Sequence, residues 1–134
     1  MAGFLKTAAA MNHDSDNDLD RRTFQFGCDA FDYCDELIRL GGVAGRIGFQ
    51  LFDAASSVGA NRGEAKSAYS RREFRSKNAI SLKESRESRF WLRMAEAKSL
   101  GNRNRRTHLL AESNELVSIF ATIVRKLRGP GDDF

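Results

Sequence analysis

The 134-residue chain holds one proline, two cysteines, two histidines and one tryptophan. So little cysteine excludes a disulfide scaffold, and a single proline beside 11 glycines excludes a collagen-like or proline-rich chain. Long apolar runs are missing as well: the uncharged stretch at residues 116–124 is nine residues, against the ~20 that a bilayer span requires. β-Branched residues are sparse, with Val, Ile and Thr numbering 13 while Ala and Leu number 28. That balance favours helix interiors over pleated sheet, so the composition points to an all-α fold.

Catalytic patterns are also absent. His13 and His108 do not follow a Glu by three residues, as a di-metal carboxylate bundle needs. No nucleophile–base motif and no glycine-rich phosphate loop is present. The expectation is a chain that is not an enzyme and uses no metal or cofactor. Cys28 and Cys34 lie about 240° apart around a helix at 100° per residue, so they cannot bridge to each other. They read as small buried hydrophobes in a reducing cytosol, which makes the expected location cytoplasmic.

What the chain does have is unevenly placed charge. The formal total is +4, from 22 basic and 18 acidic residues. Residues 62–106 alone hold 14 basic and five acidic groups, net +9. Residues 1–20 carry Asp14, Asp16, Asp18 and Asp20 and read as a disordered acidic tail. Residues 21–128 then form one domain, and residues 129–134 a C-terminal tail.

Periodicity divides that domain into four helices. In the first, residues 22–40, Phe24, Cys28, Phe31, Cys34 and Ile38 form one stripe, with Phe26, Ala30, Tyr33 and Leu37 beside it. Gly41-Gly42 ends it. The second begins near residue 45 and places Ile47, Leu51, Ala54, Val58, Asn61, Ala65 and Ala68 on a bundle seam, ending before Ser70. Ser70 and Glu73 form a capping box that opens the third helix, to about residue 99. The fourth, residues 107–128, repeats at Leu109, Ser113, Leu116, Phe120, Ile123 and Leu127. Short connections between long amphipathic helices predict an antiparallel up-down-up-down four-helix bundle.

On the third helix Phe74, Ser81, Ser85, Ser88, Leu92 and Ala95 share the inward face. Opposite them Arg71, Arg72, Arg75, Lys83, Arg86, Arg89 and Arg93 fall within an arc of about 120°, with Ala79, Leu82 and Phe90 inside it. Apolar residues among so many arginines mark a contact surface, for an anionic partner or for another subunit. Arg62, Lys66, Arg71, Arg72, Arg75, Lys83, Arg103, Arg105 and Arg106 are the candidates for tracking the phosphates of RNA or DNA. No helix-turn-helix, zinc-finger or RNA-recognition signature accompanies them, so binding would be directed at the backbone. Asn61, Leu82, Glu84, Arg86, Glu87, Phe90 and Trp91 are the candidates for a subunit interface or a buried polar network.

The stretch at residues 56–97 resembles the core signature of the 23S rRNA intervening-sequence protein family. It carries Ser57-Val58-Gly59-Ala60-Asn61, then Glu64-Ala65, Ser70-Arg71-Arg72-Glu73-Phe74, and a continuous match from Leu82 to Leu92 that ends in Phe90-Trp91-Leu92. The resemblance extends over residues 22–128. Arg62 departs from it, standing where that family has an aliphatic residue, and Gly63 favours helix less than the residue expected there. The resemblance implies a bacterial, cytosolic, non-enzymatic bundle assembling as a homopentameric ring. It also implies kinship with the accessory variability determinant of diversity-generating retroelements, a basic ring that works with a reverse transcriptase. A protein-interaction scaffold for such a nucleic-acid-handling enzyme is therefore the alternative to direct nucleic-acid binding, with the basic residues then serving mainly as subunit contacts.

Overall fold

A computed structural model describes residues 13–129, with side chains from Asp16 onward. The expectations for residues 1–12 and 130–134 lie outside the described residues. Four helices and no strand make up the described chain: α1 (His13–Leu40), α2 (Gly42–Lys66), α3 (Arg71–Ala97) and α4 (Arg103–Leu127). Each helix packs on the next, and α1 also meets α4, which closes a four-helix bundle. No described helix is long and apolar enough to cross a membrane.

α1 begins within the stretch expected to be a disordered tail. Residues 13–20 are helical, because Leu19 and Thr23 are buried and because Asp16 and Asp20 take up cations from α2. Acidic residues in the opening turns also suit the positive end of a helix. Of the two apolar stripes on α1, the one through Phe26, Ala30, Tyr33 and Leu37 is in the core. The other faces outward at Phe24, Cys28 and Phe31 and turns inward at the buried Cys34 and the half-buried Ile38. The expectation of two buried cysteines is corrected accordingly: Cys34 is buried and Cys28 exposed, both free.

The α1–α2 connection is a single turn, with Gly41 at φ 73° and Gly42 at φ 59°. Side chains rarely adopt that left-handed region, so the glycine pair allows α2 to begin at residue 42. Ser70 caps α3, its Oγ accepting from the Glu73 N–H at 3.1 Å. The Glu73 carboxylate reaches back one residue beyond the cap and accepts from the Tyr69 N–H. Asn102 caps α4 by accepting from the Arg105 N–H at 2.9 Å, which starts that helix four residues before the expected position.

The core is aliphatic and aromatic on α1, α2 and α4, through Phe26, Tyr33, Leu37, Leu51, Val58, Leu109, Leu116 and Phe120. α3 contributes mostly small polar residues. Ser81, Ser85 and Ser88 are buried and donate to the carbonyls of Val58, Ser81 and Glu84 at 2.8–2.9 Å. Those bonds satisfy hydroxyls that would otherwise be costly inside, and the small side chains let α2 and α4 approach α3. The α3–α4 turn is tied to α1: Tyr33 donates to the Leu100 carbonyl at 2.8 Å, and Glu36 accepts from the Asn102 N–H. Gly101, at φ 64°, has no room for a Cβ, which would lie 3.0 Å from the Tyr33 ring and the Glu36 carboxylate.

Candidate nucleic-acid interface

The basic residues of α3 separate by what lies beside them. Between α3 and α4 runs an open groove of about 360 Å³ lined by Ala79, Leu82, Lys83, Arg86, Ala121, Val124, Arg125 and Arg128. Its floor is apolar and its rim holds four cations with no carboxylate. Lys83, Arg86, Arg125 and Arg128 are exposed and make no ion pair among the described residues. Arg71 extends the groove past the end of α4, donating to the Leu127 carbonyl at 3.4 Å. Arg72, one position on, is exposed at the opening of α3. Unneutralised cations this close together hold a positive potential that an anion chain relieves.

Leu82 is 9% exposed and belongs to the core as well as to the groove floor, so it is not an outward residue of the basic arc. Arg75 is half-buried. Phe90 is 52% exposed and meets Trp91 edge-on at 5.1 Å between ring centroids. Trp91 is half-buried on the opposite flank of α3, and its Nε1–H finds no acceptor among the described residues. Glu84 and Glu87 are on that flank too. Burial, then Glu87, raises the Glu84 pKa above its ordinary value.

Several of the expected phosphate contacts are placed elsewhere. Arg62 is 1% exposed, with ion pairs to Asp16 and Asp20 and a 2.9 Å hydrogen bond to the buried Asn78 amide oxygen. Its guanidinium lies 6.0 Å from the Phe74 ring centre. Lys66 pairs with Asp20. Arg106 is 4% exposed, bound to Glu96 at 2.8 Å and to the Leu100 carbonyl at 2.6 Å; the Glu96 bond raises its pKa. Arg62 and Arg106 are therefore structural cations, which corrects the expectation that they contact phosphate. Arg103 is exposed on the first turn of α4, and Arg105 lines a shallow site with Asp29, Asp32 and His108. Both lie at the far end of α4 from Arg125 and Arg128.

Asn61 is half-buried and donates to the Ser57 carbonyl within its own helix. The buried position next to it belongs to Arg62. The residues that sequence reading missed are Arg125, Arg128 and Asn78. The two arginines lie outside the strongly basic segment, and only the pairing of the end of α4 with the first half of α3 brings them to the groove. Among the described residues no cluster of three or more His, Cys, Asp or Glu is placed to hold a metal ion.

Comparison with known proteins bears on the fold. A protein of unknown function from the S23 ribosomal protein family of Bacteroides thetaiotaomicron is similar at a TM-score of 0.72 and 24% identity. The match covers 80% of this chain and 98% of that one. No protein-family model matches the chain, and no curated protein does. The shared architecture is thus that of four packed helices, reached from a different sequence.

Proposed function

We propose that this protein is a non-enzymatic four-helix-bundle protein that binds nucleic acid along the phosphate backbone, through the α3–α4 groove. The observation that carries the reading is the groove itself: four unpaired cations over an apolar floor, with no carboxylate in its lining. Phosphates would sit against Lys83, Arg86, Arg125 and Arg128, with Arg71 and Arg72 continuing the track. Nothing in the groove is built to distinguish one base from another, so RNA and DNA are both ligands.

The proposal includes membership of the intervening-sequence family, supported by the motif at residues 56–97 and by the likeness to the S23-family protein. It also includes the up-down-up-down order and the assembly into a homo-oligomeric ring in the bacterial cytoplasm. Three contacts support the order: Asp20 near the start of α1 pairs with Lys66 at the end of α2, Ser81 bonds Val58, and Arg71 bonds Leu127.

A short single-stranded RNA titrated at several salt concentrations tests the function. Four neutralised phosphates predict a log–log salt slope of about −3. Replacing Lys83, Arg86 and Arg125 together by Ala removes most of that dependence. An absence of binding to RNA and DNA at low ionic strength overturns the proposal.

A further inference from the structure

Large aromatic side chains are exposed on both sides of the molecule, but they stand in different fields. α1 and α2 together carry 10 acidic and six basic residues, whereas α3 and α4 carry six acidic and 13 basic. Phe24, Phe31 and Phe49 are exposed on the acidic pair of helices. Two other rings accompany the cations of α3: Phe90, 52% exposed, and Tyr69, 82% exposed. Phe90 lies one turn beyond Arg86, and Arg93 follows it by three residues, exposed and without an ion pair among the described residues. Around the helix Arg86 and Arg93 are both within about 60° of Phe90, on the same side of it. Tyr69 precedes Arg71 by two residues, in the turn that opens α3. The cations of the α3–α4 groove and its extension therefore run between two exposed rings, and α3 spans about 28 Å from Arg71 to Phe90.

A ring beside a phosphate track does what a cation cannot. Its face stacks on a nucleobase, and because every base has such a face the contact tolerates any sequence. Only an unpaired strand offers that face freely, since in a duplex the bases are stacked on one another and a side chain must unstack them to enter. Phe90 is held ready for the contact: its ring meets that of Trp91 at 78° and 5.1 Å, and Trp91 is half-buried and packed against the core. The orientation of the ring is thus set before a ligand arrives. Glu87 is exposed about 60° around α3 from Phe90, on the side away from Arg86 and Arg93, so phosphates are kept to the arginine side of the ring.

We infer that Phe90 and Tyr69 are base-stacking platforms at the two ends of the phosphate track, and that the nucleic acid bound there is single-stranded. The inference rests on the proposed α3–α4 groove and adds the strandedness of its ligand. A single strand lays its phosphates along Arg71, Lys83, Arg86 and Arg93 and turns a base onto the ring at each end. A duplex reaches the same cations but leaves both rings without a partner.

Fluorescence anisotropy with a short single-stranded DNA and with its blunt duplex, at matched salt, tests this. The wild-type protein binds the single strand severalfold more tightly than the duplex. Phe90→Ala weakens single-strand binding at least about fivefold, as loss of one base stack does. Its salt slope and its duplex binding stay as they were, because no phosphate contact is lost. Phe90→Trp restores the single-strand affinity, whereas Phe90→Leu, apolar but without a π face, does not. Tyr69→Ala gives the same selective loss from the other end. Both side chains are exposed, and unchanged helical circular dichroism verifies that each variant folds. Full single-strand binding by a variant lacking both rings, or equal losses on single strand and duplex, overturns the stacking role and leaves the groove in place. A Phe90→Ala protein whose size changes in light scattering overturns it as well, because the ring is then a contact between copies. Wild-type protein that binds neither probe at low ionic strength overturns the groove reading itself, and this inference with it.

Discussion

Arg62 shows how one residue reorganises an end of the bundle. It occupies a seam position of α2 where an aliphatic residue is expected, and its guanidinium is buried with a 2.9 Å bond to Asn78. A buried cation is tolerated only when carboxylates meet it. Asp16 and Asp20 do so, which is why α1 starts well before its apolar stripe. The seam spacing was legible in sequence, but it pointed to Asn61, one residue too early, because an arginine is not expected to replace an aliphatic residue inside a core. The partners were illegible for the same reason: aspartates ahead of a helix read as a solvated tail until something buried needs them. The two halves of the cluster therefore respond differently to mutation. Replacing Asp16 and Asp20 together by Asn strands the guanidinium and lowers stability by about 3–5 kcal/mol. Arg62→Leu costs less, on the order of 1–3 kcal/mol, because the side chains of Asp16 and Asp20 are 28% and 30% exposed and can rehydrate, leaving mainly the Asn78 oxygen unpartnered. Urea denaturation of both variants verifies the ranking, and a more damaging Arg62→Leu contradicts it.

At the level of helices, the existence and order of all four were readable from apolar spacing and punctuation. What periodicity could not decide was which of two adjacent stripes on α1 is buried, since Phe24, Phe31 and Phe26 are equally apolar as residue types. The choice is made by α2, whose glycines set how closely the helices cross. Gly59 and Gly63 lie one turn apart but have different roles. A Cβ at Gly59 meets the Thr23 carbonyl carbon and oxygen at 3.2 Å, and both are backbone atoms that cannot turn aside. At Gly63 a Cβ meets nothing within 4 Å. Gly59→Ala is thus expected to push α1 off α2 and cost about 1–3 kcal/mol, as overpacking does. Gly63→Ala is expected to stabilise by about 0.5–1 kcal/mol, the ordinary gain from removing a glycine in a helix interior. Thermal unfolding of the two single variants distinguishes these effects, and equal shifts in one direction would mean that the close crossing at Gly59 has no energetic role.

Across the whole molecule, the basic excess seen along the sequence becomes a division between two sides, with carboxylates concentrated on α1 and α2 and cations on α3 and α4. The sequence located Lys83 and Arg72 correctly on an outward arc, yet it grouped them with Arg62, Arg105 and Arg106 because proximity along the chain stood in for proximity in space. Folding scatters that group. Arg106 is drawn inside by Glu96, and Arg105 faces Asp29 and Asp32 at the other end of α4. Arg125, well beyond the basic segment's last members at Arg105 and Arg106, takes their place beside Lys83 and Arg86. This difference can be measured, because Arg105 and Arg125 are both exposed arginines of one helix and carry the same charge. If binding follows the groove, Arg125→Ala weakens RNA binding and makes the log–log salt slope shallower by about one, the signature of a lost phosphate contact. Arg105→Ala removes an equal charge from the far end of α4, outside the groove and beside Asp29 and Asp32, so it leaves both affinity and slope nearly unchanged. Equal losses from the two substitutions would mean that RNA responds to the total charge of the protein, and the α3–α4 groove would then have no special part in binding.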